Sequence, residues 1–356
     1  ILAAGSTHTP QLLQLSGIGD KALLKSFGID SVSNLPGVGQ NFQDHPTLFV
    51  DGSFVHDLNP SPTNLTNATW VEEQRILYET DKKAFLPLSV LTDRSSDFMS
   101  ILQRQSPADY LPRGIDGTII AGALEQRKVV LGGIRSGSIA FAEYAGGATP
   151  SMALSLQKPF SRGSVKINST DPFADPVVDY ATFKNPIDLE VTVEMVKGWR
   201  KLLRLPSWVA LGAIESTPGT NVTSNDALRA FIQSSMRPTD AHPCCTAAMM
   251  PQHLGGVVAS DLKVYGVNNL SVIDASVMPI IPSTHLSATV YAVAEKIEYV
   301  DISPTMAISD LIPFSAYKRR VNANSELRSY PLLMCDRRDS PAGRLPRELW
   351  WIILDM

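Results

Sequence analysis

The sequence predicts a protein of two domains that mixes α-helices with antiparallel β-strands. Three observations carry that expectation. The chain has 356 residues, more than a single hydrophobic core usually serves. Residues 151–156 and 164–167 alternate apolar with polar side chains, the period of a half-buried antiparallel strand. Residues 188–203 and 286–297 repeat apolar side chains at helical spacing: Leu189, Val193, Val196 and Leu203 in the first, Leu286, Val290, Val293 and Ile297 in the second.

Composition supports a globular chain, with 44% hydrophobic and 19% charged residues. Thirty-one basic against 35 acidic side chains leave a formal charge of −4, which gives nucleic acid no electrostatic footprint. No apolar run approaches the roughly 20 residues of a membrane-spanning helix. Five Asn-x-Ser/Thr sequons, at Asn64, Asn67, Asn168, Asn221 and Asn269, lean towards an extracellular protein. Asn269 is expected to enter a buried strand. Adjacent Cys244 and Cys245 are expected to be two small buried side chains, since bonding neighbours strains the shared peptide.

Along the chain, residues 1–5 read as a short buried strand ending at a turn glycine, which suggests that something lies upstream. Residues 6–15 read as a helix with Thr9-Pro10 at its start, and residues 21–27 as another. From Thr47 the texture turns to mixed strands and loops. Residues 270–273 form an apolar strand that ends at Asp274. From Asp301 onwards Arg outnumbers Lys seven to one and no period persists, so residues 300–356 are expected to be a disordered or mistranslated tail.

Chemistry-bearing motifs are few. Gly17-Ile18-Gly19-Asp20-Lys21-Ala22 fits G-x-G-x-x-G/A, but a helix precedes it where a strand is required. There is no P-loop and no G-x-S-x-G elbow. The three cysteines lack metal-site spacing. Of six histidines, His8, His45, His56 and His253 read as structural. His242 lies in a loop before Pro243, and His285 stands just ahead of the 286–297 helix, whose N-terminus favours an anionic group. These two are the candidate catalytic histidines.

Residues 5–19 (Gly-Ser-Thr-His-Thr-Pro-Gln-Leu-Leu-Gln-Leu-Ser-Gly-Ile-Gly) resemble the second signature of the glucose–methanol–choline (GMC) oxidoreductases. Residues 35–46 (Leu-Pro-Gly-Val-Gly-Gln-Asn-Phe-Gln-Asp-His-Pro) resemble the segment that follows it there. Ser161-Arg162-Gly163 and the 242–296 stretch, with Val272-Ile273-Asp274-Ala275-Ser276, are similar to later motifs of the family, in the same order. The flavour is that of fungal aryl-alcohol-oxidase-like members, although Cys244-Cys245 stands where many members carry a small residue and glycine.

The resemblance implies a partial, doubly wound (Rossmann-like) α/β FAD-binding domain at 1–48 and 236–299. A mainly antiparallel α+β substrate domain would occupy 49–235. It also implies that the family's N-terminal half, with the loop for the ADP part of FAD, is absent from this chain. Its implied activity is oxidation of a small alcohol by hydride transfer to the flavin, with oxygen or a quinone as electron acceptor. By resemblance His242 is the base and His285 shares or orients the hydroxyl proton. Asp274 with Ala275 contacts FAD, and the amides of Leu286 and Ser287 face the flavin. A non-catalytic fragment and a cyanohydrin-cleaving lyase remain the alternatives.

Overall fold

The computed structural model describes residues 1–56, 83–146 and 149–301. It runs through α1 (Gly5–Leu15), β1 (Ile18–Gly19), α2 (Lys21–Ser26), β2 (Ser33–Asn34) and β3 (Thr47–Phe54). From residue 83 follow β4 (Lys83–Leu86), α3 (Leu88–Leu91), α4 (Ser95–Arg104), α5 (Gly117–Ser136), β5 (Ala142–Gly146), β6 (Met152–Leu156), β7 (Ser164–Lys166) and β8 (Val177–Asp179). The last elements are α6 (Pro186–Leu203), α7 (Pro206–Ala210), β9 (Ala213–Thr217), α8 (Asn225–Ser235) and α9 (Ser287–Asp301).

One five-stranded antiparallel sheet, ordered β4-β5-β6-β3-β9, organises the middle of the chain. In β3, Leu48 and Val50 are buried while Phe49 is 42% exposed, so the pleat gives one face to the core. That face meets α6. Asn185 caps α6 by accepting from the Ile187 amide at 3.1 Å, and Pro186 fits the first turn because it has no N–H to satisfy there. Val193, Val196 and Trp199 of α6 then pack with Leu48, Leu154, Leu156 and, from α8, Leu228 and Ile232. Trp199 is fully buried and donates Nε1–H to the Pro150 carbonyl at 2.8 Å.

A second apolar cluster draws on two distant stretches, joining Leu13, Ile18, Leu35 and Val38 to Val257, Val264, Val272, Val277 and Val293. Parallel pairing among the described residues is short there: β1 with β2, and single bridges Leu2–Val272 and Met249–Val258.

Several expectations need correction. The opening strand shrinks to the one bridge residue Leu2, with Ile1 75% exposed, because α1 already begins at Gly5. Pro10 therefore lies inside α1 rather than at its start. Its missing N–H leaves the Ser6 carbonyl without a helical donor, and the Thr246 hydroxyl supplies one at 2.7 Å. Residues 270–273 make only bridges, and Asn269 is exposed in a left-handed bend (φ 59°) instead of entering a strand.

The 20-residue α5 was not foreseen, since its glycines and β-branched residues obscure the helical period. Its boundary signals are clear in retrospect: Asp116 caps it through the Thr118 amide at 2.8 Å, and Gly137 ends it in the left-handed conformation (φ 67°). Gly17, likewise at φ 79°, only turns the chain out of α1, which agrees with rejecting the 17–22 glycines as a phosphate loop. Asn168 and Asn221 are exposed. Asn64, Asn67 and the 302–356 part of the tail lie outside the described residues.

Replacing Trp199 tests how far the sheet depends on α6. Trp199→Ala is expected to lower the unfolding free energy by about 3–5 kcal/mol in urea melts. Trp199→Phe, which keeps most of the volume, is expected to cost clearly less. Equal effects would mean that the bond to Pro150, not packing, carries the contribution.

Candidate active site

The site is assembled by the loop from Gly39 to His45. Gly39 has φ 77°, and a Cβ there would run into the Val165 carbonyl, so only glycine serves. The loop is pinned on both sides by backbone bonds: Gly39 N–H to Thr246 O at 2.8 Å and Val165 N–H to Gly39 O at 2.7 Å. Its side chains then reach two loops nearly 200 or more residues away. Asn41 donates to the carbonyls of Cys245 (3.2 Å) and Pro279 (3.0 Å), and Gln43 accepts from the Ile281 amide at 3.2 Å. Asp44 accepts from the amides of His45 (2.7 Å), His242 (3.1 Å) and Asp240 (3.3 Å), and from the Thr239 hydroxyl at 2.6 Å. Burial raises the Asp44 pKa from its ordinary value, and these donors work against that shift.

Three histidines line up as a result. The rings of His45 and His242 are 5.1 Å apart, and those of His242 and His285 4.6 Å. His45 Nδ1 is 3.0 Å from His242 Nδ1, and His45 Nε2 is 2.9 Å from the Pro282 carbonyl. On the far side, His285 Nε2 donates to the buried Glu143 carboxylate at 3.0 Å, whose other oxygen accepts from Gln157 at 3.0 Å. Lys83 Nζ lies 3.4 Å from His285 Nδ1 and 3.3 Å from its Nε2. His285 is thus fixed through Nε2 by Glu143, with an ammonium beside both ring nitrogens. Among the described residues, nothing bonds Nε2 of His242.

Electrostatics keeps the inner two rings neutral. Burial, and then the charges that His242 and Lys158 would add, hold His45 well below the usual histidine range. Burial, followed by His285, also lowers His242, with Asp240 and Glu143 opposing.

The structure brings His242 and His285 together and places His45 and Glu143, which no sequence motif singled out as catalytic, beside them. A signal for His45 was present, because His45-Pro46 and His242-Pro243 both follow closely on an aspartate. Cys244 and Cys245 are joined as a vicinal disulfide, contrary to the expectation of separate thiols. Backbone bonds from Cys244 N–H to Gln43 O (2.9 Å) and from Cys245 N–H to Ala275 O (3.1 Å) fix the turn that carries both sulfurs, with Cys245 left-handed at φ 82°.

Asp274 accepts from the Gly5 amide (2.9 Å), the Thr9 hydroxyl (2.5 Å) and the Ser276 amide (2.8 Å), so its carboxylate is largely spent on placing the start of α1. Leu286 is buried and stands at the head of α9, where the Val290 amide closes the first turn onto its carbonyl at 3.0 Å.

Comparison with known proteins bears on this arrangement. Sequence models described as GMC oxidoreductase match residues 1–47 with the family's N-terminal part and residues 159–294 with its C-terminal part. The chain belongs to the GMC oxidoreductases. Dehydrogenase xptC of Emericella nidulans is 38% identical over 313 residues, covering 83% of this chain and 50% of that protein. An FAD-dependent oxidoreductase from Chaetomium thermophilum superposes with a TM-score of 0.77 at 38% identity, covering 84% of this chain and 54% of the other. A solved fungal aryl-alcohol oxidase gives 0.74 at 34% identity, with 84% and 54% covered. The chain spans about half the length of these GMC relatives.

Members of the GMC family bind FAD, and the residues present suit that group. The hydroxyl Oγ of Ser276, beside Asp274-Ala275, is buried and lacks a partner among the described residues. The opening amides of α9, at Leu286 and Ser287, have no acceptor within the helix by its geometry. Such groups suit the oxygen-rich edge of a flavin.

Two measurements check the assembly. Asp44→Ala strands the buried amide of His45 and the part-buried amides of Asp240 and His242, and is expected to cost about 1–3 kcal/mol of stability or more in denaturant melts. The pH dependence follows from His45. Its folded pKa lies well below 6.5, so the unfolded chain takes up the proton first as pH falls, and stability declines below that value. His45→Gln removes the titration. It is expected to flatten the loss of stability between about pH 7 and pH 5, measured against the unmutated chain.

Proposed function

We propose that this chain forms the substrate-facing part of an FAD-dependent oxidoreductase that oxidises a small alcohol at its CH–OH group. The observation that carries the reading is the unequal state of the paired histidines. Burial holds His242 below the usual histidine range and its Nε2 has no partner among the described residues, whereas His285 Nε2 bonds Glu143 and the Lys83 ammonium lies 3.3–3.4 Å from both of its ring nitrogens.

A hydroxyl loses hydride from its carbon far more readily once its proton is being removed, so a neutral imidazole is the group required. Bound FAD supplies the hydride acceptor. His242 Nε2 takes the hydroxyl proton. His285, fixed by Glu143 through Nε2, lines the place of the substrate oxygen beside His242. The Leu286 and Ser287 amides favour negative charge in front of the helix. The resting electron acceptor in this reading is oxygen or a quinone. The solved aryl-alcohol oxidase supports the alcohol class. The exposed sequons Asn168, Asn221 and Asn269 and the vicinal disulfide support an extracellular location.

The test uses the chain joined to the other half its relatives carry, with FAD bound. Anaerobic stopped-flow mixing with an aryl alcohol is expected to show flavin reduction slowed about 10²–10⁴-fold in His242→Ala. His285→Ala is expected to lose no more than that. Reduction of the His242→Ala flavin at the unmutated rate would overturn the assignment of the base.

A further inference from the structure

We propose that His45 is a positioning residue that fixes the tautomer of His242, so that the lone pair of His242 resides on Nε2. The inference rests on His242 being the base, and it extends that reading to a residue that touches neither substrate nor cofactor.

The oxygen of Pro282 can only accept a hydrogen bond, so His45 Nε2, 2.9 Å away, carries the hydrogen. A neutral imidazole has one N–H, which leaves a lone pair on His45 Nδ1. That lone pair lies 3.0 Å from His242 Nδ1, and the contact is a hydrogen bond only if His242 donates from Nδ1. His242 then has its lone pair on Nε2, the nitrogen with no partner among the described residues. Each step follows from the one before it.

The relay requires His45 to stay neutral. A protonated His45 would donate from both nitrogens, take the lone pair of His242 Nδ1 and force the hydrogen onto Nε2, abolishing the base. Its setting forbids that state. The ring is wholly buried, Lys158 lies nearby with its ammonium on the Ile281 carbonyl, and His242 and His285 would add further positive charge. Among the described residues the ring bonds only His242 and Pro282, and neighbouring Asp44 accepts instead from the amides of His45, Asp240 and His242 and from Thr239.

The ring's place is equally constrained. The His45 amide is held by Asp44 at 2.7 Å, and Thr47 donates its hydroxyl to the His45 carbonyl at 3.3 Å. Asp44 also holds the amide of His242. One dipeptide therefore sets both the position of the base, through Asp44, and its protonation pattern, through His45. A histidine held in the wrong tautomer can cost an enzyme about 10⁴-fold in kcat, which is the scale of effect at stake.

The decisive experiment needs no variant. Nitrogen NMR of the unmutated chain with ¹⁵N-labelled histidine, above the titration of the rings, reads which nitrogen of each imidazole carries hydrogen. The expected pattern is Nε2–H on His45 and Nδ1–H on His242, and Nε2–H on His242 would overturn the proposal. Variants add a second readout. His45→Phe removes the acceptor and is expected to return His242 to a mixture of tautomers. His45→Gln, whose side-chain oxygen can still accept from Nδ1–H, is expected to keep the Nδ1–H form. An unchanged His242 tautomer in a folded His45→Phe chain would also overturn it. In the FAD-bound protein, His45→Phe is expected to slow flavin reduction at least about 10-fold with the apparent affinity for alcohol unchanged, and His45→Gln to recover most of that rate. If the NMR pattern holds while His242→Ala reduces flavin normally, the relay stands and the assignment of the base fails, so the two readings are separable.

Discussion

Asn41, Gln43, Asp44 and His45 put amide, carboxylate and imidazole groups into the protein interior within five residues of chain, and each is matched to a specific partner. Burying such groups is unfavourable unless their hydrogen bonds are made. Here the partners are backbone groups of the loops at 239–246 and 279–282, which have no regular ladder to satisfy them. Each side therefore meets the other's need. Ser6 adds bonds to Pro243 and Thr246 on the first loop, and Gln126 and Lys158 bond the carbonyls of Pro279 and Ile281 on the second, but among the described residues the 41–45 segment alone joins both loops to two of the histidines.

The same segment explains why a site built on irregular backbone can be rigid. Loops gain precision when their carbonyls and amides are tied to a scaffold. The scaffold is the sheet that begins at Thr47, two residues past His45, and the α1 region fixed by Asp274. Glu143, which holds His285, comes from β5 of that sheet, where its 1% exposure leaves it the imidazole and Gln157 as partners. The outer histidine is thus anchored to the sheet, the inner one to the loop, and His242 is held between them.

Much of the fold was legible because its signals are local. Helix α6 declares itself through apolar spacing, and β6 through alternation. Helix α5 does not, because glycines at close approaches such as Gly122 against the Leu254 carbonyl serve tertiary packing at the expense of helical propensity. The start of α1 was misplaced for a related reason: a proline in its second turn is tolerated only because Thr246, 240 residues on, satisfies the carbonyl it frees. His242 and His285 stood out by their flanking sequence. His45 shares the aspartate-then-His-Pro pattern of His242, but which of its nitrogens faces which neighbour is encoded in no local pattern. For Cys244 and Cys245 the local rule pointed the wrong way, because the turn is imposed by Gln43 and Ala275 from outside.

The bond from the Gly5 amide to Asp274 joins residues 269 apart in sequence. Closing so long a stretch of chain gives nothing back until both ends have met, although each doubling of its length adds only about 0.6 kcal/mol. In the antiparallel sheet between them, β4, β5 and β6 pair with their sequence neighbours, whereas β3 pairs with β6 (Thr47 with Ser155) and with β9 (Asp51 with Thr217) across long stretches of chain. The order of events in folding follows these separations: β4, β5 and β6 pair early, β3 and β9 join them across the longer stretches, and the two ends of the described chain clasp around the sheet last. The histidine row comes into being only with that clasp. A partially folded molecule would therefore carry a formed core and no assembled site, which keeps a reactive imidazole pair from existing before the protein that controls it.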